Sequence, residues 1–338
     1  MTPPDYTVTM DVKWAYSKPG KAIVLHHGDW TRVAETADSP NVTYYLADDR
    51  EAISVGDHYL SIVRGPDRPF TEYAPRNTGE RQKHLGENCT VWEVSRKKIG
   101  APSSKTSCVT DDGIELWWRS SSSQSVSSAE ATRMERRPIA SEDAQPPRSI
   151  FAWDSPDRDT LPPIAPEKPD HEVVMERMIG DKGKAIRTVR RHGPWQFTEE
   201  IFGKQRSIDI IHDFGQMWWR YASDEAGAPK RLTVGKKYVL APTEQAEIQA
   251  AVPRPANMNQ TDTVLGETCH WFNMTPGAAD GGAWACLTED GIALKETFWS
   301  HPSRPREWTA IRVARRPIAI DEIKPPAELL SPQTWGVE

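Results

Sequence analysis

Apolar and polar side chains alternate through residues 8–16, which places Met10, Val12, Trp14 and Tyr16 on one side of a period-2 pattern. Such alternation predicts a half-buried β-strand. Similar short runs at 22–27, 30–36, 42–47, 59–63, 90–95, 106–110 and 114–119 are separated at close intervals by Gly, Asp and Pro, the pattern of an antiparallel meander. Asp112-Gly113 and Asp290-Gly291 predict tight hairpin turns, because glycine adopts positive φ without steric cost. Helical signals are sparse. Ile320–Ile323 before Pro325-Pro326 predicts one short turn, and residues 171–179 have helical propensity but align with the strand at 8–16 and are read as strand. The serine-rich run Ser120–Ser128 predicts a loop or a solvent-facing edge strand.

The pattern occurs twice. Leu85-Gly86-Glu87-Asn88-Cys89 returns as Leu265-Gly266-Glu267-Thr268-Cys269, and Cys108-Val109-Thr110-Asp111-Asp112-Gly113-Ile114 as Cys286-Leu287-Thr288-Glu289-Asp290-Gly291-Ile292. Arg136-Arg137-Pro138-Ile139-Ala140 returns as Arg315-Arg316-Pro317-Ile318-Ala319, followed in each copy by Pro-Pro. These blocks keep one order and an offset of about 180 residues, while His27-Gly28-Asp29-Trp30 and His192-Gly193-Pro194-Trp195 match at an offset of about 165. The second copy therefore carries an insertion, placed within 222–262. The reading is mainly β: two tandem antiparallel domains with few short helices, the first repeat at 1–154 and the second at 171–338. Residues 155–170, with prolines at 156, 162, 163, 166 and 169, form a stiff linker.

Composition adds limits. A net charge of -6 disfavours a general nucleic-acid binder. No apolar run approaches the roughly 20 residues of a membrane-spanning helix, and the N-terminal residues have no signal-peptide stretch. Each copy has two cysteines, Cys89 with Cys108 and Cys269 with Cys286, and neither pair is a Cys-x-x-Cys. Both lie on neighbouring predicted strands, so the repeat favours one disulfide within each copy over four free, buried thiols. Disulfides would place the protein outside the cytoplasm, as in a bacterial periplasm.

Several of these blocks together resemble a known pattern. Each copy has a Gly-x-x-Cys strand, a Cys-[Val/Leu]-Thr-[Asp/Glu]-Asp-Gly-Ile hairpin, an Arg-Arg-Pro-Ile strand end and a final Pro-Pro. Each also has a Gly-Lys-Ala turn (20–22, 183–185) and a His-Gly-x-Trp with Glu35 or Glu200 five residues beyond the Trp. The whole is similar to bacterial envelope proteins of the LolA/LolB-like lipoprotein-carrier type and related domains of unknown function. That resemblance implies a half-barrel-like curved sheet in each copy, and binding of a lipid, an acyl chain or an envelope protein partner on the concave faces.

Motifs for serine hydrolases, zinc peptidases and P-loop nucleotide binding are missing from the sequence. Neither a cofactor nor a metal is expected. The polar set present in both copies is His27, Glu35 and Asp48, matched by His192, Glu200 and Asp213. Such a set offers metal holding or acid–base chemistry on one reading, and an ordinary strand-end histidine with surface carboxylates on the other, which is favoured. Arg137 and Arg316 are candidate anion-binding residues at the rim of a site. Trp117-Trp118 and Trp218-Trp219 each present one ring to either face of a strand, so they form the candidate ligand or partner surface. The favoured reading is a non-enzymatic bacterial envelope protein that binds an apolar ligand, a lipid or acyl chain, or a protein partner through its concave sheet faces. The alternatives are an assembly subunit that docks through its Trp faces, and an enzyme that uses the His–carboxylate set.

Overall fold

The computed structural model describes residues 3–14, 18–36, 39, 41–46, 51–56, 59–64, 75–96, 103–122, 125–151, 169–193, 195–212, 217–236, 255–276, 282–299, 306–335 and 337. It is mainly β, as the alternating pattern predicts, and antiparallel throughout each of its two compact units. Met1–Ala152 together with Trp335–Glu338 make the first unit, and Trp153–Thr334 the second. Most of the predicted linker, 155–168, lies outside the described residues, as do Asp48, Asp213 and Tyr16.

The first unit contains β1 (Tyr6–Lys13), β2 (Gly20–His27), β3 (Trp30–Ala34), β4 (Val42–Leu46), β5 (Glu51–Gly56), β6 (Tyr59–Arg64), β7 (Arg76–His84), β8 (Glu87–Arg96), β9 (Ser103–Thr110), β10 (Glu115–Ser122) and β11 (Val126–Arg136). Its ladder runs β6-β5-β4-β3-β2-β1-β11-β10-β9-β8-β7, so the first and last strands of the unit pair at its centre. A four-residue helix, α1 (Ser141–Ala144), follows and lies against β2 and β3. Trp335 and Val337, at the far end of the chain, are grouped with this unit and are 0% and 1% exposed.

The second unit repeats the plan with β12 (His171–Met178), β13 (Lys184–His192), β14 (Trp195–Phe202), β15 (Gln205–His212), β16 (Met217–Ser223), β17 (Pro229–Lys236), β18 (Ala256–Val264), β19 (Glu267–Asn273), β20 (Gly282–Leu287), β21 (Ala293–Trp299) and β22 (Arg306–Ala314). Its ladder is β17-β16-β15-β14-β13-β12-β22-β21-β20-β19-β18. Strand 171–178 is therefore a strand, against its helical propensity: its buried positions Val173 and Met175 alternate as Val8 and Met10 do.

Even the irregularities coincide. The register slips between Thr9 and Met10 and between Val174 and Met175. It slips again beside Leu116 and Leu294, and again between Asn77 and Arg81 and between Asn257 and Thr261. A bulge adds one unpaired residue and re-aims the strand, so the same bulges in the same places give both sheets the same local bends.

Some sequence expectations needed correction. Trp14 lies beyond the end of β1 and is 52% exposed, so it is on the side of Met10 and Val12 without sharing their burial. The serine run is split between the ends of β10 and β11, which pair with each other (Ser121 with Val126), and β10 also pairs with β9, so the run is no edge strand. The Gly-Lys-Ala segments are two residues out of step. Gly20 pairs with Val12 inside the sheet, whereas Gly183 (φ +113) sits in the turn before β13, and Ala185 occupies the place of Gly20 opposite Arg177. The predicted hairpin turns hold, with Gly113 and Gly291 at φ +91 and +78. In each, the threonine hydroxyl bonds the aspartate two residues on, at 2.5 Å, and accepts the N–H of Ile114 or Ile292.

The core of the first unit joins Tyr6, Val8, Met10 and Val12 to Cys89, Val91, Cys108, Ile114, Leu116 and Ala131. That of the second joins Val173, Met175, Cys269, Cys286, Ile292, Leu294 and Trp308. The disulfides Cys89–Cys108 and Cys269–Cys286 sit inside these clusters, one in each copy as the repeat predicts. Trp30 and Trp195 are buried at 4% and 5% exposure.

Candidate functional site

In a β-sheet, residues paired across strands share a face. From Val8 the shared face passes to Val24 and Val33 on one side and Met134 on the other; from Met10 it reaches Ala22 and Ala131; from Val12 it reaches Ala129 and then Trp118. This face encloses a cavity of about 500 Å³. Its walls include Ala52 on β5 and Lys105 on β9, seven ladder steps apart. A flat sheet would separate those strands by about 34 Å, too far for one such cavity, so the sheet is curled with this face inside.

The walls of the first cavity are mainly aliphatic and aromatic. Trp118 lines it, with Trp14 at 5.9 Å between ring centroids and the Lys105 ammonium 5.7 Å from the ring. Lys105 also pairs with Glu115 at 2.7 Å, and both line the cavity. Tyr6 stacks on His26 with centroids 5.0 Å apart. Burial pushes the Tyr6 hydroxyl pKa upward, with Glu115 and Asp112 adding to the effect, so the ring presents a neutral phenol. Burial also lowers the pKa of His26, whose Nδ1 lies 3.0 Å from the Thr31 hydroxyl.

The same face of the second unit is chemically different. Val12, Ala22, Val33 and Trp118 give way, position for position in the ladders, to Arg177, Arg187, Thr198 and Glu296. Arg187, 12% exposed, donates to Glu200 from Nε at 2.9 Å and Nη2 at 2.5 Å, and to Glu296 from Nη1. Its guanidinium also lies over Trp308, 4.1 Å from the ring centroid, and Arg177 lies over the same ring at 4.7 Å. Burial raises the Glu296 pKa even though Arg187 draws it down, and burial raises that of Asp209 despite Arg220 at 2.9 Å. A cavity of about 250 Å³ adjoins this network through Glu296, and His171, Arg191 and Gln196 are among its lining residues.

The residues singled out from the sequence fare unequally. Trp118 lines the first cavity, and Trp117 faces away from it, half-buried, its indole N–H donating to Gln82 at 3.2 Å. Trp219 is fully buried, with its backbone paired to Ile210 and Val234, so it is core rather than surface. The Trp218 side chain lies outside the described residues. Arg137 follows β11, 3.9 Å from Glu135, and Arg316 is held by Glu322 at 2.6 Å and Glu172 at 3.4 Å; neither lines the cavities above. Their neighbours Arg136 and Arg315 each fork onto two carboxylates, Asp112 with Glu87 and Asp290 with Glu267, and tie two hairpins to the last strand of their unit.

Among the described residues of the His–carboxylate set, His27 bonds Asp5 and His192 bonds Asp170, each at 3.0 Å, while Glu35 lies exposed in a bend and Glu200 belongs to the Arg187 network. Among the described residues no group of three or more His, Cys, Asp and Glu could hold a metal ion. No helix among them is long and apolar enough to cross a membrane. The signal that would have exposed the second unit's network was an apolar residue in one copy matched by a charged one in the other, as with Val12 and Arg177 or Trp118 and Glu296.

No family model matches the chain, and no curated protein matches it. Among solved structures, a crystal structure of MucB in complex with MucA(peri) is similar at a TM-score of 0.28 and 10% identity, covering 70% of this chain and 89% of that one. PNGF-II in its P21 crystal form is similar at 0.29 and 10% identity, covering 70% and 69%. Its C2 form is similar at 0.30 and 10%, covering 69% and 64%.

Proposed function

We propose that the first unit is a binding domain for one apolar chain, such as a fatty acyl group, held on the inner face of its curled sheet. The observation that carries this reading is the cavity of about 500 Å³ walled by Val8, Met10, Val12, Val24 and Trp118. Its volume falls in the range of about 300–1,000 Å³ in which small-molecule sites occur, and such sites are mostly apolar with a few polar groups to orient the ligand. Here those groups are Lys105, Glu115 and the Tyr6 hydroxyl. Binding would be driven by removal of apolar surface from water, at about 25 cal/mol per Å². The resemblance to envelope lipoprotein carriers supports the same ligand class, and two disulfides suit an extracytoplasmic setting.

The test is titration of the purified protein with palmitate, followed by calorimetry and tryptophan fluorescence. Saturable binding with a change in emission is expected, at least tenfold weaker in Met10→Trp, which fills the cavity, and with most of the emission change lost in Trp118→Phe. Absence of saturable binding, or equal affinity in Met10→Trp, would overturn the proposal.

A further inference from the structure

Among the described residues that line the first cavity, Lys105 and Glu115 are the charged ones, and they are paired with each other at 2.7 Å. In the ladder Lys105 lies opposite Ser120, and Glu115 opposite Val109. The matching positions of the second unit, opposite Phe298 and Leu287, are Ala283 and Ala293, and both line its cavity. Both charges are therefore present on the inner face of one copy and both are absent from the other, as befits a single neutral unit.

We propose that the first cavity selects an acyl ligand with an uncharged head group, an ester, amide or alcohol rather than a free carboxylate, because its lysine is already neutralised by Glu115 in the same wall.

This inference rests on the acyl-binding reading of the first unit and narrows the ligand class. A free carboxylate that took Lys105 would exchange one ion pair for another. It would leave Glu115 without its partner in the same wall, and it would give up its own hydration. An uncharged head group disturbs neither charge and loses less hydration on entry. The remaining polar groups suit such a head. Tyr6 lines the cavity, and burial, with Glu115 and Asp112, keeps its hydroxyl protonated, so it can donate to a carbonyl or hydroxyl oxygen. Thr31 also lines the cavity, and its hydroxyl lies 3.0 Å from His26 Nδ1, on an imidazole whose protonation burial disfavours. A cationic head group fares no better than an anion, since the Lys105 ammonium already lies 5.7 Å from the centre of the Trp118 ring.

The test compares three ligands with one chain length, decanoate, 1-decanol and decyltrimethylammonium, by calorimetric titration near neutral pH. Decanol is expected to bind about fivefold or more tightly than either ion. Glu115→Gln removes the negative charge and leaves the ammonium to the ligand, so decanoate should gain about fivefold or more relative to decanol. Lys105→Gln should weaken decanoate further relative to decanol. The Lys105 and Glu115 side chains are 43% and 31% exposed, so both substitutions should keep the fold, which circular dichroism checks. Met10→Trp, which fills the cavity, should weaken all three ligands. Decanoate or decyltrimethylammonium binding as tightly as decanol, or no gain of decanoate in Glu115→Gln, would overturn the selection while leaving the acyl site in place. Saturable binding of none of the three would remove the acyl site, and this inference with it.

Discussion

Asp5 accepts a hydrogen bond from His27 Nδ1 at 3.0 Å, and the same carboxylate oxygen accepts the backbone N–H of Ile139 at 3.0 Å. One side chain ahead of the first strand thus pins the end of β2 to the segment that leaves β11. Asp170 repeats the arrangement with His192 and Ile318 and adds the N–H of Gly193 at 3.2 Å. The recurring histidines are structural partners of these aspartates. Asp5→Ala should destabilise the first unit by about 1–3 kcal/mol, since it strands a backbone donor, and Asp170→Ala should cost the second at least as much. Urea unfolding followed by tryptophan emission measures both.

Acid should unfold the protein over a defined window. The Arg315 bond lowers the Asp290 pKa to about 2, and the Arg316 bond lowers that of Glu322 to about 2. Asp112, Glu87 and Glu267 are lowered by their arginines in the same sense. Unfolded carboxyls titrate near pH 4, so this stabilisation is complete above about pH 4 and is lost as pH falls through about 2. Melting temperature should decline across that window, and Arg315→Gln should make the decline shallower.

Cys89–Cys108 and Cys269–Cys286 close loops with sequence separations of 19 and 17. Each should contribute roughly 3 kcal/mol by restricting the unfolded chain. Cys89→Ser with Cys108→Ser should lower the melting temperature in non-reducing buffer, and that double variant should respond less to reductant than the parent does.

Two exposed leucines occupy unfavourable backbone positions. Leu85 (φ +52) and Leu265 (φ +54) precede Gly86 and Gly266 (φ +84 and +81) at the tips of the β7–β8 and β18–β19 hairpins. Two successive positive φ values define the turn in which Asn-Gly is preferred, and a β-carbon there costs about 1–2 kcal/mol. Leu85→Asn should therefore raise stability by about 0.5–1 kcal/mol in thermal unfolding.

Arg187 holds two carboxylates on the inner face of the second unit. Arg187→Leu leaves both without it, and loss of one partner of a buried ion pair costs about 3–5 kcal/mol; the lower end is expected because Glu200 is 34% exposed. Arg187→Leu combined with Glu296→Leu should recover much of the loss, because the first unit packs Ala22 and Trp118 at the same places. Chemical denaturation of the single and double variants decides it.

Much of the architecture was legible because its signals are local. Alternation at Met10 and Val12 gives a strand, Asp-Gly at 112–113 gives a hairpin, and a duplicated pair of cysteines on neighbouring strands gives its own connectivity. What escaped was set by pairing at a distance. A bulge beside Leu116 leaves no mark on composition, yet it places Trp118 on the inner face and turns Trp117 away. The Gly-Lys-Ala matches misled because motif identity and ladder register are separate constraints, and the ladder decides which residues oppose Met10 and Met175. Asp5 and Asp170 were visible only as Pro-Asp dipeptides in matching places, with nothing nearby to announce a partner more than 130 residues away. The charged face of the second unit was hidden because single arginines and glutamates in strands look like solvated positions until the sheet curls over them.

The membership of Trp335 and Val337 in the first unit sets an order of events during synthesis. At roughly 5–20 residues per second, the ribosome needs about 10–40 s after completing the first eleven strands to reach Trp335. Until then the amino-terminal half lacks two side chains that end up sealed from water. The half of the molecule that is made first is therefore complete only once Trp335 and Val337 have followed the second set of strands, and Trp335→Ala would leave its flaw in strands translated long before it.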